Sequence, residues 1–377
     1  MKNLLLVCDP ISSRNSVQFL VLSALVEPLS KDFCIKVITP YIPDEKKEEL
    51  LSKFGIEVLS ISEEKKLIKL LFKRIFDNES MMWSASWILE SLFRSNSSIA
   101  FRYKLNFDSP IIINFSYTVP ISCDIFWNQA TPPVQTLSEL SRTNKSISFV
   151  FKWFSWLIKP LDHKVLNSNL SEHSLHLCNS KYLAEIYNEM GIPVDGIVHS
   201  PRKLMHFTSS INDGNGKYVL AYIGKETEIS TLIELADKGV KIIGFGSKVP
   251  YGTDTGELKK KIDFRGYVTE SELQELYLNA KFTVFPFTEE PFGFIPIESM
   301  YFGTPILTYD RQGPAETVEH NKTGWLASST SELVSQGVLL WNSGSTGIDP
   351  YYCRQRALEF SSEREVGKLI NYMGILK

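Results

Sequence analysis

The first half of the chain alternates short, continuous apolar runs with longer helical patterns. The run NLLLVCDP is followed by the polar loop ISSRNS and then by the helical pattern VQFLVLSALVEPLSK. Four further runs have the same strand-like character: CIKVITPY, IEVLSIS, SPIIINFSY and CDIFWNQA. Continuous apolar strands separated by helices are typical of a parallel sheet that is covered on both faces. The pattern predicts an α/β, Rossmann-like, doubly wound domain over residues 1–200.

This alternation stops near residue 200 and then begins again. The segment SPRKLMHFTSSINDGNGK is poor in apolar residues and rich in Ser, Asn and Gly, as a linker is. After it, the strand-like runs YVLAYIG, VKIIGFG, FTVFPF and TPILTYD again alternate with helical patterns. We therefore expect a second Rossmann-like domain over residues 201–353 and a terminal helix within residues 354–377. Ligands of such sheets bind beyond the carboxyl ends of the strands, so the site is expected in those loops.

Composition and charge narrow the classes of function. The 377 residues carry a net charge of −3, which gives no global attraction for nucleic acid, so no nucleic-acid partner is expected. The five cysteines are odd in number and scattered, which favours free thiols in a reducing compartment. The N-terminal apolar run is too short for a signal peptide, and no run reaches the about 18 apolar residues of a membrane-spanning helix. We expect a cytoplasmic protein.

Residues 282–327 contain the pattern that most strongly indicates function. A strand-like run there ends in a loop that holds Glu290 and Gly293, and a helix is predicted to begin near Pro296 with Glu298 in its first turn. Gly293 lets the backbone approach a ligand closely, because glycine has no side chain. N–H groups at a helix start donate to anionic oxygens, and a carboxylate accepts hydrogen bonds from the neighbouring hydroxyls of a sugar. The stretch predicts a site for an anionic ligand that carries a diol.

The same stretch resembles the retaining glycosyltransferases of family 4, which have the GT-B fold. The resemblance rests on Glu290-PFGFIPI-Glu298, in which seven residues separate the two glutamates, and on the segments GTPILTYD, QGPAETV and NKTGWL that follow. It extends more thinly over residues 265–280 and 178–187. It implies two Rossmann-like domains that face each other across a cleft, with the final helix crossing back to the N-terminal domain. It also implies a nucleotide-sugar donor as the substrate.

The resemblance assigns roles to individual residues. It implies that Glu290 contacts hydroxyls of the transferred sugar and that Glu298 binds the ribose of the nucleotide. Lys225 falls where the family has a phosphate-binding arginine, so Glu290 and Lys225 are the expected catalytic residues. The other positions that the resemblance places at the donor are Gly293, Phe294, Ile295, Gly224, Gly266, Tyr267 and Val268.

The resemblance also implies a chemistry without a resident cofactor. In the family the anomeric configuration is retained, no protein nucleophile is generally accepted, and the leaving diphosphate takes the proton of the acceptor. The protein then supplies positioning and stabilises the charge that develops on phosphate. The chain lacks the Asp-x-Asp motif of metal-dependent glycosyltransferases, and the spacing of His173, His176 and Cys178 does not suit a tetrahedral metal site. We expect neither a metal nor another cofactor, since the nucleotide-sugar is a substrate.

The chain departs from the family pattern at three places. Ser230 stands where the family has a second basic residue. The alternative sources of that charge are Arg14, Lys248 and Arg311. The loop ISSRNS lacks the paired glycines of the family's first loop, and the N-terminal strand ends offer Asn128 and its neighbours in place of a histidine beside the sugar. Arg14 and Asn128 are therefore candidate phosphate or sugar contacts.

Several functions are compatible with these patterns. The leading prediction is a glycosyltransferase whose acceptor is a glycan, a lipid-linked molecule or a small molecule. The departures favour, as an alternative, a non-catalytic subunit that binds a nucleotide-sugar and supports a partner transferase, and a third reading is a GT-B epimerase. Residues 147–159 fit either a helix buried against the first sheet or an interfacial helix that makes a peripheral contact with a membrane.

Overall fold

The structure is a computed structural model in which the chain forms two units. The first unit comprises Met1–Asn179, Leu183–Arg202 and Ser362–Lys377, and the second comprises Ser180–Tyr182 and Lys203–Ser361. The residues that the structure describes are 1–11, 17–60, 107–116, 119, 121–132, 166, 169–204, 210–246, 249–250, 253–344 and 346–376.

The apolar runs of the first half form a parallel sheet in the first unit. Its described elements are β1 (Lys2–Val7), α1 (Val17–Leu29), β2 (Phe33–Thr39), α2 (Asp44–Phe54), β3 (Glu57–Ser60), β4 (Ile111–Asn114), β5 (Ile125–Asn128), β6 (Leu175–Cys178), α3 (Lys181–Glu189) and β7 (Gly196–Ile197). The strand order is β3-β2-β1-β4-β5-β6-β7, and neighbouring strands are parallel. Leu4, Leu6 and Val7 of the interior strand β1 are fully buried, as expected of a parallel sheet that is covered on both faces.

The second unit contains a second parallel sheet. Its elements are β8 (Tyr218–Tyr222), α4 (Ile229–Asp237), β9 (Ile242–Phe245), α5 (Thr255–Lys261), β10 (Asp263–Phe264), α6 (Glu270–Leu278), β11 (Ala280–Phe285), α7 (Phe294–Tyr301), β12 (Ile306–Tyr309), α8 (Gln312–Thr317), β13 (Gly324–Ala327), α9 (Thr330–Asn342) and α10 (Pro350–Leu358). The strand order is β10-β9-β8-β11-β12-β13. The prediction of two doubly wound α/β domains is confirmed.

Alternate residues of the second sheet build two separate cores. Leu220 packs with residues of α6 and α7 on one face, whereas Val219 and Ala221 pack with residues of α4 and α9 on the other. Successive side chains of a strand point to opposite faces, so a strand that is apolar at every position is covered on both sides. Packing on both faces holds the strands in place, and the strands in turn position the first residues of the loops that follow them.

The C-terminal segment forms two helices that belong to different units. Helix α10 buries Cys353 and Ala357 in the core of the second unit, which is why residues 354–361 stay with that unit. The last helix, α11 (Ser362–Ile375), packs against α1 of the first unit. The unit boundaries in this part of the chain therefore fall at Arg202/Lys203 and Ser361/Ser362. The sequence predicts these boundaries slightly earlier, after residues 200 and 353.

No helix among the described residues is long and apolar enough to cross a bilayer. Residues 147–159, which the sequence marks as either a buried or an interfacial helix, lie outside the described ranges. Peripheral membrane contact therefore stays a prediction.

Candidate functional site

The carboxyl ends of the second sheet define the candidate site. Its strands are parallel, so these ends lie along one edge. The neighbours β9 and β11 flank the unit's first strand, β8, on opposite sides, so the strand order reverses there. Ligands of doubly wound sheets bind in the crevice at such a switch point. The loops after β8 and β11 carry Lys225 and Glu290, the pair to which the family resemblance assigns catalytic roles.

Backbone hydrogen bonds tie these two loops together. The N–H of Glu228 donates to the carbonyl of Pro286 over 2.8 Å. The N–H of Thr288 donates to the carbonyl of Glu226 over 3.1 Å. These two hydrogen bonds hold the backbones of the loops after β8 and β11 next to each other.

Gly224 and Lys225 follow directly after β8. Gly224 is buried, and its N–H donates to Thr227 Oγ1 over 2.8 Å. A Cβ atom at Gly224 would lie 2.9 Å from the ring of Tyr222, which leaves little room for any other residue. Lys225 is 64 % exposed, and its Nζ lies 3.3 Å from the carboxylate of Glu226. The ammonium group is thus at the surface of the crevice with a carboxylate beside it.

Glu290 lies in a loop that the start of α8 holds in place. Its N–H donates to Gln312 Oε1 over 3.0 Å, and its carbonyl accepts from the N–H of Gly313 over 3.0 Å. The side-chain amide of Gln312 donates in turn to the carbonyl of Thr288. Gln312 has a φ of 63°. Its role in holding the Glu290 loop was not predicted, because nothing in the sequence distinguishes Gln312 from an ordinary loop residue.

The carboxyl group of Glu290 titrates near neutral pH. Burial raises the pKa of Glu290 to about 7, and the carboxylate of Glu226 acts in the same direction. The N–H groups of Phe292 and Gly293 and the ammonium of Lys225 act in the opposite direction. Lys225, Glu226 and Glu290 are therefore within electrostatic range of one another. A carboxyl that is partly protonated at neutral pH can both donate to and accept from sugar hydroxyls.

Helix α7 begins at Phe294 rather than near Pro296. Pro296 is the third residue of the helix, a position where the missing N–H is tolerated because the first N–H groups have no acceptor within the helix. The prediction that Glu298 lies in the first turn is therefore wrong, since Glu298 begins the second turn.

Gly293 is the N-cap of α7 and allows a close approach to Glu290. Its φ of 90° lies in the region that favours glycine, and a Cβ atom there would lie 3.3 Å from Glu290 Cγ and 3.2 Å from Pro314 Cγ. The helix start thus places the N–H groups of Gly293, Phe294 and Ile295 next to the loop of Glu290. Such a start favours an anionic oxygen, because the helix dipole is positive there.

Tyr222, the last residue of β8, is within electrostatic range of both glutamates of the motif. Burial raises the pKa of Tyr222, and the carboxylates of Glu226, Glu290 and Glu298 act in the same direction. Its ring stacks on Phe287 with the centroids 5.8 Å apart. The carboxylates of both glutamates therefore act on one phenol at the switch point. Tyr222 was not predicted as a site residue, because its place in an apolar strand indicates only that it contributes to the core.

Gly266, Tyr267 and Val268 follow β10 at the same edge of the sheet. Gly266 has a φ of 68°, and its carbonyl accepts from the N–H of Gly246 over 2.8 Å. Tyr267 is 59 % exposed, and Val268 packs on the core beside α6. A cavity of about 490 Å³ borders Val268 and continues along α6 to Asn279, so it extends away from the loops of Lys225 and Glu290.

Among the alternative phosphate-binding cations, only the surroundings of Arg311 are described. Its guanidinium lies 3.3 Å from the carboxylate of Glu228 and 4.2 Å from the ring centroid of Tyr309. Tyr309 and Thr330 also donate to Glu228, which is the N-cap of α4. Arg311 therefore lies near the start of α4, where Ser230 stands in place of the family's second basic residue. Arg14 and Lys248 lie outside the described residues.

Asn128 ends β5 of the first unit and is 3 % exposed. Its Nδ2 lies 2.7 Å from Nε2 of His176, and Nδ1 of His176 lies 2.7 Å from the carbonyl of Pro193. Because a carbonyl only accepts, Nδ1 carries the proton and Nε2 accepts from Asn128. Burial lowers the pKa of His176, which keeps this tautomer neutral. The amide group of Asn128 is thus engaged in holding a buried histidine.

In the part of the chain that the structure describes, no group of three or more His, Cys, Asp and Glu side chains could hold a metal ion. Both ring nitrogens of His176 are engaged in the contacts with Asn128 and Pro193. Metal independence of the chemistry stays a prediction.

A known protein family matches part of the second unit. Residues 252–343 match the family described as Glycosyl transferases group 1. This range contains the loop of Gly266 and both glutamates of the motif. Residues 252–343 therefore resemble a glycosyl transferases group 1 domain, and the two parallel-sheet units have the GT-B fold.

Curated relatives and solved structures agree with this class. The alpha-1,3/1,6-mannosyltransferase ALG2 of Dictyostelium discoideum is 23 % identical over 277 residues, which are 70 % of this chain and 59 % of that protein. ALG2 of Kluyveromyces lactis is 22 % identical over 304 residues, 75 % of this chain and 58 % of that protein. The chain thus spans less than two thirds of the length of these relatives.

Two solved structures align over almost their whole length. HepE of Anabaena in complex with UDP and glucose aligns with a TM-score of 0.64 and 14 % identity, covering 98 % of this chain and 99 % of that one. Sucrose-phosphate synthase of Thermosynechococcus elongatus aligns with a TM-score of 0.63 and 15 % identity, covering 100 % of both chains. At this identity the likeness establishes the fold.

Proposed function

We propose that this chain is a retaining glycosyltransferase that moves a sugar from a nucleoside-diphosphate-sugar to an acceptor hydroxyl. The observation that carries the proposal is the convergence of Lys225, Glu290 and Glu298 at the crevice between β8 and β11. The mannosyltransferases and the UDP complex among its relatives are consistent with such a donor.

Each group in the crevice has a role that suits its chemistry. The ammonium of Lys225 and the N–H groups at the start of α7 are donors for a diphosphate, whose negative charge grows as the sugar leaves. Glu298 is the acceptor for the ribose diol, and Glu290 is the partner of the sugar hydroxyls. These groups stabilise the leaving group without a metal ion, and the diphosphate then takes the acceptor proton on the same face of the sugar.

The sugar that we propose to test first is mannose, because the ALG2 relatives are mannosyltransferases. The acceptor is proposed to be a glycan, a lipid-linked molecule or a small molecule that carries a hydroxyl. A cytoplasmic location, with or without a peripheral membrane contact, is part of the same proposal.

A second candidate is a non-catalytic subunit that binds a nucleotide-sugar. It is favoured by the charge pairing at the crevice, where Lys225 lies beside Glu226 and Arg311 lies beside Glu228. A cation that is already paired with a carboxylate stabilises a leaving diphosphate less than an unpaired cation does. This candidate binds the donor and releases no sugar from it.

The test is an assay with GDP-mannose, UDP-glucose and UDP-N-acetylglucosamine in excess EDTA, each with glycan and lipid-linked acceptors. The expected result is release of nucleoside diphosphate together with a glycosylated acceptor, and a strong loss of both in Glu290→Ala. Binding of a donor without release above the level of Glu290→Ala would favour the non-catalytic subunit. Activity that vanishes in EDTA and returns with magnesium or manganese would contradict the metal-free chemistry.

A further inference from the structure

Glu298 has a buried phenol next to its carboxylate. The hydroxyl of Tyr277 donates to Glu298 Oε2 over 3.4 Å. Glu298 is 4 % exposed and Tyr277 is fully buried. A carboxylate that leaves water needs hydrogen-bond donors in exchange, because an uncompensated buried charge is strongly unfavourable. The hydroxyl of Tyr277 is one such donor, and it comes from α6 rather than from the helix that carries Glu298.

Packing fixes the ring of Tyr277 on both sides. The ring stacks on Phe302, with centroids 5.5 Å apart and an interplanar angle of 11°. It also meets Phe245 edge-on, with centroids 6.2 Å apart and an angle of 83°. Aromatic pairs in these two geometries are favourable, and together they leave the ring little freedom to turn.

The backbone of Tyr277 is anchored as well. Its carbonyl accepts from Nδ2 of Asn212 over 3.1 Å and from Oγ1 of Thr304 over 2.6 Å. These donors come from the segments before β8 and before β12, so the end of α6 is joined to two other parts of the unit. The hydroxyl of Tyr277 is consequently held at one point relative to α7.

We propose that Tyr277 is a positioning residue that orients the carboxylate of Glu298 for the ribose of the donor. The last torsion of a glutamate side chain is broad, so an unrestrained carboxylate samples many planes. A hydrogen bond from a fixed phenol to Oε2 restricts that torsion and sets the plane in which the carboxylate meets a pair of neighbouring hydroxyls. This inference rests on the proposed function, because it assumes that Glu298 faces a ribose.

A neutral phenol suits this role better than a cation would. An ammonium or guanidinium beside Glu298 would pair with the carboxylate and compete with the ligand's hydroxyls for it. The phenol fixes the orientation and leaves the negative charge in place. Hydrogen bonds from hydroxyls to an ionised acceptor are stronger than those to a neutral one.

The test compares ligands that differ only in the ribose diol. The dissociation constants of UDP, GDP and their 2′,3′-dideoxy analogues are measured by calorimetry on the wild type, Tyr277→Phe and the control Tyr218→Phe. Tyr218 is a matched control, because its buried hydroxyl donates to the carbonyl of Leu276 over 2.9 Å in the same helix. Thermal unfolding of each variant shows that it is folded.

For the wild type we expect loss of the diol to weaken binding by about tenfold or more, on the scale of a hydrogen bond to a charged group. In Tyr277→Phe, UDP and GDP should bind about fivefold more weakly, whereas binding of the dideoxy analogues should not change. The ratio of the dissociation constant of each analogue to that of its parent nucleotide therefore falls. In Tyr218→Phe the ratio should equal that of the wild type. A structural role alone would weaken both forms of ligand equally.

Three outcomes would overturn the inference. Tyr277→Phe could keep the wild-type ratio, it could weaken ribose and dideoxy forms alike, or the wild type could bind both forms equally well. Each of these leaves the proposed sugar transfer intact if the wild type still binds a nucleoside diphosphate, and the third outcome would also remove the ribose role of Glu298. Failure of the wild type to bind UDP and GDP would overturn the proposed function, and this inference with it.

Discussion

The two glutamates of the site occupy different environments, and this difference separates their roles. Glu290 is half-buried in a loop, and burial raises its pKa to about 7. Glu298 is buried in a helix, beside the hydroxyl of Tyr277. Because Glu290 titrates near neutral pH, it can either donate or accept a hydrogen bond as the sugar changes shape. The carboxylate of Glu298, which the hydroxyl of Tyr277 orients, suits the ribose, a part of the ligand that does not react.

The raised pKa of Glu290 predicts a pH-dependent stability. Below the pKa of about 4.5 in the unfolded chain, both states are protonated and burial of the carboxyl is not penalised. As the pH rises from there to about 7, the folded state stays protonated longer than the unfolded state, and stability falls by about 3 kcal/mol. Glu290→Gln removes this loss, so it should be more stable than the wild type at pH 8 and similar to it at pH 4.

Urea denaturation at both pH values measures this difference. The control is Glu270→Gln, at an exposed position in the first turn of α6. A difference between Glu290→Gln and the wild type that does not change with pH would show that folding leaves the pKa of Glu290 unchanged.

Lys225 is predicted to act on turnover through its charge. Lys225→Ala should lower turnover by about one to three orders of magnitude, on the scale of removing a donor to developing negative charge. Lys225→Arg keeps the charge and should retain more activity. Lys238→Ala is a matched control, because Lys238 is exposed beyond the other end of α4. Wild-type turnover in Lys225→Ala would place the phosphate contact elsewhere, with Arg311 as the next residue to test.

At the scale of elements, the site depends on where strands end and helices begin. The apolar runs predict β8, β11 and β12, because buried parallel strands are continuous in the sequence. The start of α7 was predicted too late, because Pro296 looks like a first residue although it is the third. Tyr277 could not be predicted as a partner of Glu298, since no local pattern tells which side chains of two separate elements meet.

The turn into α7 gives a prediction at this scale. Gly293→Ala forces a side chain into a backbone conformation with φ of 90°, and its Cβ would crowd Glu290 and Pro314. We expect a loss of about 1–3 kcal/mol in the stability of the second unit and weaker nucleotide binding. Gly344→Ala is the control, because no atom lies within 4 Å of its Cβ position. Equal stability of the two variants would show that the turn is not strained by a side chain.

At the scale of the whole molecule, the chain is built from two sheets, and its last helix returns to the first. Helix α11 buries Val366, Leu369 and Met373, and Glu365 accepts from the N–H of His199 over 2.8 Å. The sequence predicts the helix from its 3.6-residue stripe. The family resemblance, and not the periodicity, predicts that this helix returns to the first unit. Periodicity shows that one face of a helix is buried, but it does not show what covers that face.

This arrangement predicts a selective effect of truncation. Deletion of Ser362–Lys377 removes the apolar face of α11 and should destabilise the first unit by an amount on the order of 5 kcal/mol. Sugar transfer should be lost. Limited proteolysis should then cut within residues 1–202 much faster than within residues 203–361. Deletion of residues 375–377 is the control, because Ile375 is 67 % exposed. Equal protease resistance after both deletions would contradict a structural role of α11 in the first unit.

The central claim is that Glu298 binds the nucleotide while Glu290 acts on the sugar as it is transferred. The measurement that tests it most directly is the dissociation constant of the donor together with turnover for Glu298→Ala and Glu290→Ala. Contacts with the ribose exist equally in the ground state and the transition state, whereas contacts with the sugar strengthen as its ring flattens. Glu298→Ala should therefore raise the dissociation constant, and Glu290→Ala should chiefly lower turnover. Equal effects of the two substitutions on both quantities would contradict the account.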